Sequence, residues 1–244
     1  MADVQIQELF DKGVQYGHRR SKWNPKMKKN IYAEKDGIHV INLEKTKESI
    51  EKACAFLKVA AQSGKKLLFV GTKPQASTLI SNLAKDLNAS YVSQKWPAGL
   101  LTNWDVFSKR VRYLKDLRAR MESGDLDEKY TKKEVSRFKK EIEKLETTLG
   151  GVEKMGGMPD VLFVIDPFKE TLAIKEARLK KIPIVAMVDT NGNPDYIDYV
   201  IPANDDSMQS INLILGYIKD ACRTSGTAAA PKANVKKMDN EAAA

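Results

Sequence analysis

The amino-acid sequence predicts a doubly wound α/β domain with a mostly parallel sheet, interrupted by an inserted helical hairpin. Three observations carry this. The apolar runs LLFVG (67–71), VLFVID (161–166) and IPIVAMVD (182–189) each end in a polar loop and alternate with helical patterns, the grammar of βα units. These runs are continuous rather than alternating, as expected for parallel strands buried on both faces. Between Asp105 and Leu149 the period changes to that of paired helices.

Taken in order, residues 3–12 form a short amphipathic helix ended by Gly13. The stretch GVQYGHRRSKWNPKMKKNIY follows, punctuated by Gly17 and Asn24-Pro25 and expected to be irregular. IYAEKDGIHVINLE reads as two strands around an Asp36-Gly37 turn. A helix over 46–62 stops before Gly64, and Leu67–Gly71 is the first buried strand. Residues 75–87 are helical and 90–92 form a short strand. Helices over 170–180 and 206–222 alternate with the two later apolar runs.

In the interruption, Phe107, Val111, Leu114, Leu117 and Met121 keep helical spacing. After the polar loop ESGDLDEKYTKK, Val135, Phe138, Ile142, Leu145 and Leu149 follow a 3-4-3-4 seam. Two helices of roughly 25 Å, at ~1.5 Å per residue, with a short connection make an antiparallel coiled-coil hairpin. Its narrow seam and charged flanks predict that it projects. The sheet domain is thus expected over 1–104 and 155–222, the hairpin over 105–154, and a disordered tail over 223–244.

Composition limits the function. The chain has 244 residues, 42% of them apolar, enough to bury a sizeable core. No apolar stretch approaches the ~20 residues of a membrane helix. The first ten residues lack the basic and apolar regions of a secretory signal. Two cysteines, Cys54 and Cys222, make neither a disulfide framework nor a four-thiolate zinc site. A soluble protein of a reducing compartment is expected.

The formal net charge is +9, and its distribution is uneven. Residues 1–104 carry 17 basic and 9 acidic side chains, whereas residues 155–222 carry 6 and 10. The hairpin segment is near balance, with 14 and 11. The densest stretch, Lys12–Lys29, has seven cations and no acid. A polyanion facing the N-terminal side explains this pattern; a solvated basic face is the plainer alternative.

Catalytic signatures are thin. There is no GxGxxG after a strand and no GxxxxGK[ST]. The nearest approach, Gly71-Thr72-Lys73-Pro74, has one glycine and cannot wrap a pyrophosphate. No GxSxG or His-Glu-x-x-His occurs, and His39 sits inside an alternating strand. Asp166 and Asp189 would lie at the carboxyl edge of the sheet, where ligands of open α/β sheets bind. There Asp166 and Asp189 could meet His18 around a divalent cation, with Asp205 a further candidate ligand. The plainer reading of Asp205, in Asn204-Asp205-Asp206-Ser207, is a helix N-cap. An α/β enzyme or nucleotide sensor using Gly71–Lys73, Asp166 and Asp189 is the competing functional class.

Two segments look built for RNA. In the first, His18, Arg19, Arg20, Lys22, Lys26, Lys28 and Lys29 surround Trp23, Asn24 and Pro25: cations for phosphates, a ring for stacking, and a proline that holds the chain extended. The second runs from Gln94 through Lys95, Trp96, Thr102 and Asn103 to Lys109, Arg110 and Arg112, and Lys73 could add one phosphate contact. For the tryptophans, anchoring loops to the core is the competing role.

Nine motifs occur together and in order: GVQYGH, WNPKM, IYAEKDGIHVINLEKT, LFVGTK, QKWPAGLLTN, LGGVEKM, PDVLFVIDPFKE, IPIVAMVDTNGNPD and IPANDDS. This set, spread over about residues 5–220, resembles the bacterial-type small-subunit ribosomal protein S2 family. The resemblance implies a flavodoxin-like domain with an inserted coiled-coil hairpin and an RNA-bound structural role without catalysis. It implies a cytoplasmic place on the solvent side of the small ribosomal subunit, bridging head and body. It further implies ribosomal RNA and other small-subunit proteins as partners, including the large mRNA-binding protein it helps to anchor. Membranes, small-molecule substrates and self-association are not implied.

Overall fold

Two sheets build the molecule, one small and antiparallel, one parallel. The computed structural model describes residues 4–223. After helix α1 (Ile6–Asp11), strand β1 (Tyr16–Arg19) joins β2 (Ile31–Lys35) and β3 (Ile38–Ile41) in the antiparallel order β1-β3-β2. The β2–β3 turn is the expected one, with positive φ at both Asp36 (52°) and Gly37 (74°).

The basic stretch is more ordered than expected. It holds β1 and two 3-10 turns, over 20–22 and 25–30. Pro25 does not keep the chain extended. It stands at the first position of the second turn, and the Asn24 side chain accepts the Lys26 N–H there at 3.0 Å. Fully buried Met27 anchors this turn to the core.

Helix α2 (Leu43–Gln62) starts three residues before its expected position, because the Asn42 side chain accepts the N–H groups of Glu44 and Lys45. The parallel sheet then assembles from β4 (Leu67–Val70), β5 (Ser90–Val92), β6 (Val161–Ile165), β7 (Ile184–Val188) and β8 (Tyr199–Pro202). Its spatial order is β5-β4-β6-β7-β8, and every neighbouring pair is parallel. Relative to the chain this is 2-1-3-4-5, the flavodoxin-like order.

Helices α3 (Pro74–Asp86), α7 (Thr171–Leu179) and α8 (Met208–Arg223) complete the layers. Side chains alternate between two cores. Phe69, Phe163, Ile165, Val185 and Met187 face the α2, α3 and α8 layer. Leu68, Val70, Leu162, Val164, Ile184, Ala186 and Val188 face α7 and the segment between β5 and β6. Both faces are covered, which is why the strands read as unbroken apolar runs.

Between β5 and β6, the chain forms α4 (Trp104–Glu122), α5 (Asp125–Lys129) and α6 (Lys132–Leu149). Helix α5 lies within the segment expected to be a loop, and its Leu126 is buried between Leu117 and Val135. A capping box between Thr131 and Glu134 starts α6. Phe107, Val111 and Leu114 belong to the sheet core, whereas Leu117, Leu126 and Val135 form a separate cluster farther out. Arg118 crosses from α4 to Glu146 at 2.7 Å and to Glu153 at 3.3 Å. Gly151 closes the return: a Cβ there would lie 2.2 Å from the Tyr91 carbonyl oxygen. The tail beyond Arg223 lies outside the described residues. Among the described residues no helix is long and apolar enough to cross a membrane.

Candidate nucleic-acid interface and acidic cluster

The carboxyl edge of the parallel sheet gathers side chains from four loops. Strand β4 delivers Thr72 and Lys73, β6 delivers Asp166, β7 delivers Asp189 and Thr190, and β8 delivers Asp205 and Asp206. The small sheet covers this edge. The His18 N–H donates to the Thr190 hydroxyl at 2.8 Å, and the Asn24 N–H donates to the Thr190 carbonyl at 2.8 Å. Gly17 permits the approach, since a Cβ there would lie 2.5 Å from Thr190 Cγ2 and 3.0 Å from the His39 carbonyl.

His18 therefore sits among carboxylates, with Nδ1 3.1 Å from Asp189 and Nε2 3.5 Å from Asp206. The hydrogen bond to Asp189 raises its pKa against the effect of burial, and the charges of Asp189, Asp206 and Asp205 add to the rise. Lys73 turns to the same cluster, 2.6 Å from Asp205, 3.7 Å from Asp166, and paired with Asp206. Burial works to lower the Lys73 pKa, but its aspartate partners outweigh it and raise the value.

Asp205 is not the helix cap that its sequence context suggested. The Ser207 hydroxyl accepts the Ser210 N–H at the start of α8 instead, and the Asn204 side chain accepts the N–H groups of Asp206 and Ser207 in the turn before it. Asp205 is 0% exposed, one oxygen meets Lys73, and its Oδ2 has no hydrogen-bond partner. Burial, then the charges of Asp189 and Asp166, push its pKa up to about 7.

Ligand atoms of His18, Asp189, Asp205 and Asp206 all lie within 4.8 Å of one another. Four aspartates thus share one lysine and one histidine, with a buried oxygen left over. That set fits a divalent cation, and the imidazole favours a borderline metal such as zinc over calcium or magnesium. Of the expected ligands, His18, Asp189 and Asp205 are brought together and Asp206 joins them, whereas Asp166 lies outside this set, 3.7 Å from Lys73.

The crevice between β4 and β6, where the strand order reverses, is the usual ligand site of this fold. Here it is filled from within. Glu170 accepts the Thr72 N–H at 3.1 Å and also the Thr72 hydroxyl, while Lys169 donates to the Thr72 carbonyl. Burial raises the Glu170 pKa against the pull of those Thr72 bonds. Lys73, expected at a phosphate, is committed to aspartates.

The candidate RNA contacts separate by exposure. Arg19, Arg20, Lys22, Lys26, Lys28 and Lys29 are all exposed on one module. Arg20 lies 3.7 Å from Glu34, and Lys26 pairs with Asp195. Trp23 is half-buried, its ring tilted against that of His39 at 5.0 Å. Asn24 is engaged as the cap of its turn.

In the second segment Lys95, Thr102, Asn103, Lys109, Arg110 and Arg112 are exposed, with Arg110 over the Phe107 ring at 5.6 Å. Trp96 is the exception. It is 7% exposed and donates its indole N–H to Glu176 at 3.0 Å, so its anchoring role prevails and neither ring face is open to a base. Glu176 also accepts the N–H groups of Gly99, Leu101 and Thr102 and the Thr102 hydroxyl. Sequence reasoning missed Glu176. Its signal is an acid on the buried face of α7, beside Ala173 and Ala177.

The family model described as Ribosomal protein S2 matches residues 9–225. A curated relative, the small ribosomal subunit protein uS2c of Cyanophora paradoxa, is 43% identical over 221 residues, covering 91% of this chain and 94% of the relative.

Proposed function

The chain belongs to the ribosomal protein S2 family, and from that membership we propose that it is a structural, non-catalytic constituent of the small ribosomal subunit. It binds ribosomal RNA through Arg19, Arg20, Lys22, Lys26, Lys28 and Lys29. The observation that carries the binding surface is their shared exposure on a module fastened to the sheet edge at Thr190. An unfastened basic tail would have to order on binding, at an entropic cost that this module avoids.

The finer reading follows the same charge distribution. The α4–α6 pair acts as an antiparallel coiled coil extending from the sheet domain, and the acidic residues of 155–222 face protein neighbours. The placement on the solvent side between head and body, and the anchoring of the large mRNA-binding protein, belong to this reading. His18, Asp189, Asp205 and Asp206 hold a divalent cation that locks the small sheet to the parallel one. A cation bound there would offset the aspartate charge at that edge.

The test is binding of the full chain to small-subunit RNA across a salt series. Six phosphate contacts give a log–log slope near −4 to −5. A slope near zero, or saturable nucleotide binding in place of RNA binding, would contradict the proposal.

A further inference from the structure

The outer face of α6 carries a charge pattern that its seam does not explain. Lys133, Arg137, Lys140 and Lys144 recur at intervals of four, three and four residues. At ~100° per residue they fall within about 60° of one another, roughly opposite the seam of Val135, Phe138, Ile142, Leu145 and Leu149. All four are exposed. The hairpin's ion pairs are Arg118–Glu146, Arg118–Glu153, Arg120–Asp125 and Lys129–Asp125, and among the described residues none reaches these cations.

Three of the four acids of α6 have partners off the stripe: Glu134 is held by Thr131 in the capping box, with Arg137 adding a favourable charge, Glu141 bonds the Tyr113 side chain, and Glu146 pairs with Arg118. The fourth, Glu143, is exposed and falls outside the arc that the four cations occupy. The outer face of α4 differs, because Asp105, Lys109, Arg112 and Asp116 mix both signs at similar spacing. Self-repulsion along an acid-free stripe is unfavourable for an isolated helix, so a partner of opposite charge supplies the physical reason for it.

We propose that this face of α6 is a second RNA contact, lying along the phosphate backbone of a double-helical segment; it rests on the small-subunit reading of the chain. The four cations span ~16 Å of a straight helix. The stripe holds no aromatic residue on which an unpaired base could stack. A rigid cationic ridge suits a duplex, whose narrow major groove closes its base edges to side chains and leaves backbone and 2′-hydroxyls to be read.

The test compares the full chain with a Lys133→Ala, Arg137→Ala, Lys140→Ala, Lys144→Ala variant. Alanine keeps the helix. A companion carrying Lys133→Arg, Lys140→Arg and Lys144→Arg controls for shape. The probes are a 20-base-pair RNA duplex of arbitrary sequence, a single-stranded RNA of equal length, polyglutamate, and small-subunit particles stripped of this protein.

For the duplex, the alanine variant should show a salt slope about 3 less negative and at least roughly tenfold weaker binding at 100 mM salt, with the arginine variant unchanged. An unchanged duplex slope overturns the proposal, as does a loss confined to single strands or to polyglutamate. If stripped particles take up the alanine variant and the unaltered chain alike, only this contact fails. If they take up neither, the small-subunit reading fails with it.

Discussion

Glu176 on α7 accepts the indole N–H of Trp96 at 3.0 Å, joining positions 80 residues apart. Its two oxygens gather three further backbone N–H groups and one hydroxyl, so a single carboxylate shapes the turn from β5 into α4.

Replacing Glu176 by Gln keeps the volume but puts an NH2 where donors converge. The variant should lose roughly 2–4 kcal/mol in urea denaturation, because buried donors are left unmet. A loss below 0.5 kcal/mol by the same measurement would show the turn to be held by other contacts.

The same carboxylate makes stability depend on pH. Burial opposes its ionisation, but the bonds from Trp96, Gly99, Leu101 and Thr102 outweigh it and hold the pKa below the ordinary glutamate value. The contribution is therefore fully present above the unfolded pKa of about 4.3 and is lost as pH falls through the lower folded value. Denaturation midpoints measured from pH 6 to pH 3 should fall more steeply for the unaltered protein than for Glu176→Gln.

Gly17→Ala should loosen the small sheet. The new methyl meets Thr190 Cγ2 at 2.5 Å, an overlap costing about 1–3 kcal/mol. Thr190→Ser removes that methyl yet keeps the hydroxyl that His18 uses. Adding it to Gly17→Ala should recover part of the melting temperature, and strictly additive losses would place the clash elsewhere.

Lys181 has φ of 57° just beyond α7, in the left-handed region that favours glycine. Lys181→Gly should stabilise by about 0.5–1 kcal/mol by thermal melting. A destabilised variant would mean that the lysine side chain contributes more than its backbone costs.

Divalent zinc should raise the melting temperature of the full chain with concentration, the added stability reaching about 2.7 kcal/mol at a hundredfold excess over the dissociation constant. Asp205→Asn should abolish that dependence. An equal shift in both proteins would remove Asp205 from the ligand set.

Much of the fold was legible because the parallel strands are buried on both faces, leaving the runs at 67–71, 161–166 and 182–189 unbroken. Strands β1 and β8 were not. Strand β1 carries Gly17, His18 and Arg19 because it spends its pairing on β3 and its backbone on Thr190. Strand β8 is four residues long and ends in Pro202, which is tolerable at a sheet edge but breaks any apolar pattern.

The cation positions of 19–29 could be read directly, since charge needs no tertiary context. Which tryptophan is buried could not, because burial of Trp96 depends on Glu176, 80 residues away in sequence. Lys73 was misplaced for the same reason: its three aspartates arrive from two other loops, after β6 and after β8.

The central claim is that exposed cations of the N-terminal module hold this chain in the small ribosomal subunit. Gradient sedimentation of cell lysate tests it most directly, comparing the unaltered chain with one carrying Lys22→Ala, Lys26→Ala, Lys28→Ala and Lys29→Ala. The unaltered chain should travel with small subunits at low salt and leave them as salt rises, while the variant should leave at distinctly lower salt. Recovery of the unaltered chain only in the light fractions, or identical release of both proteins, would contradict the claim.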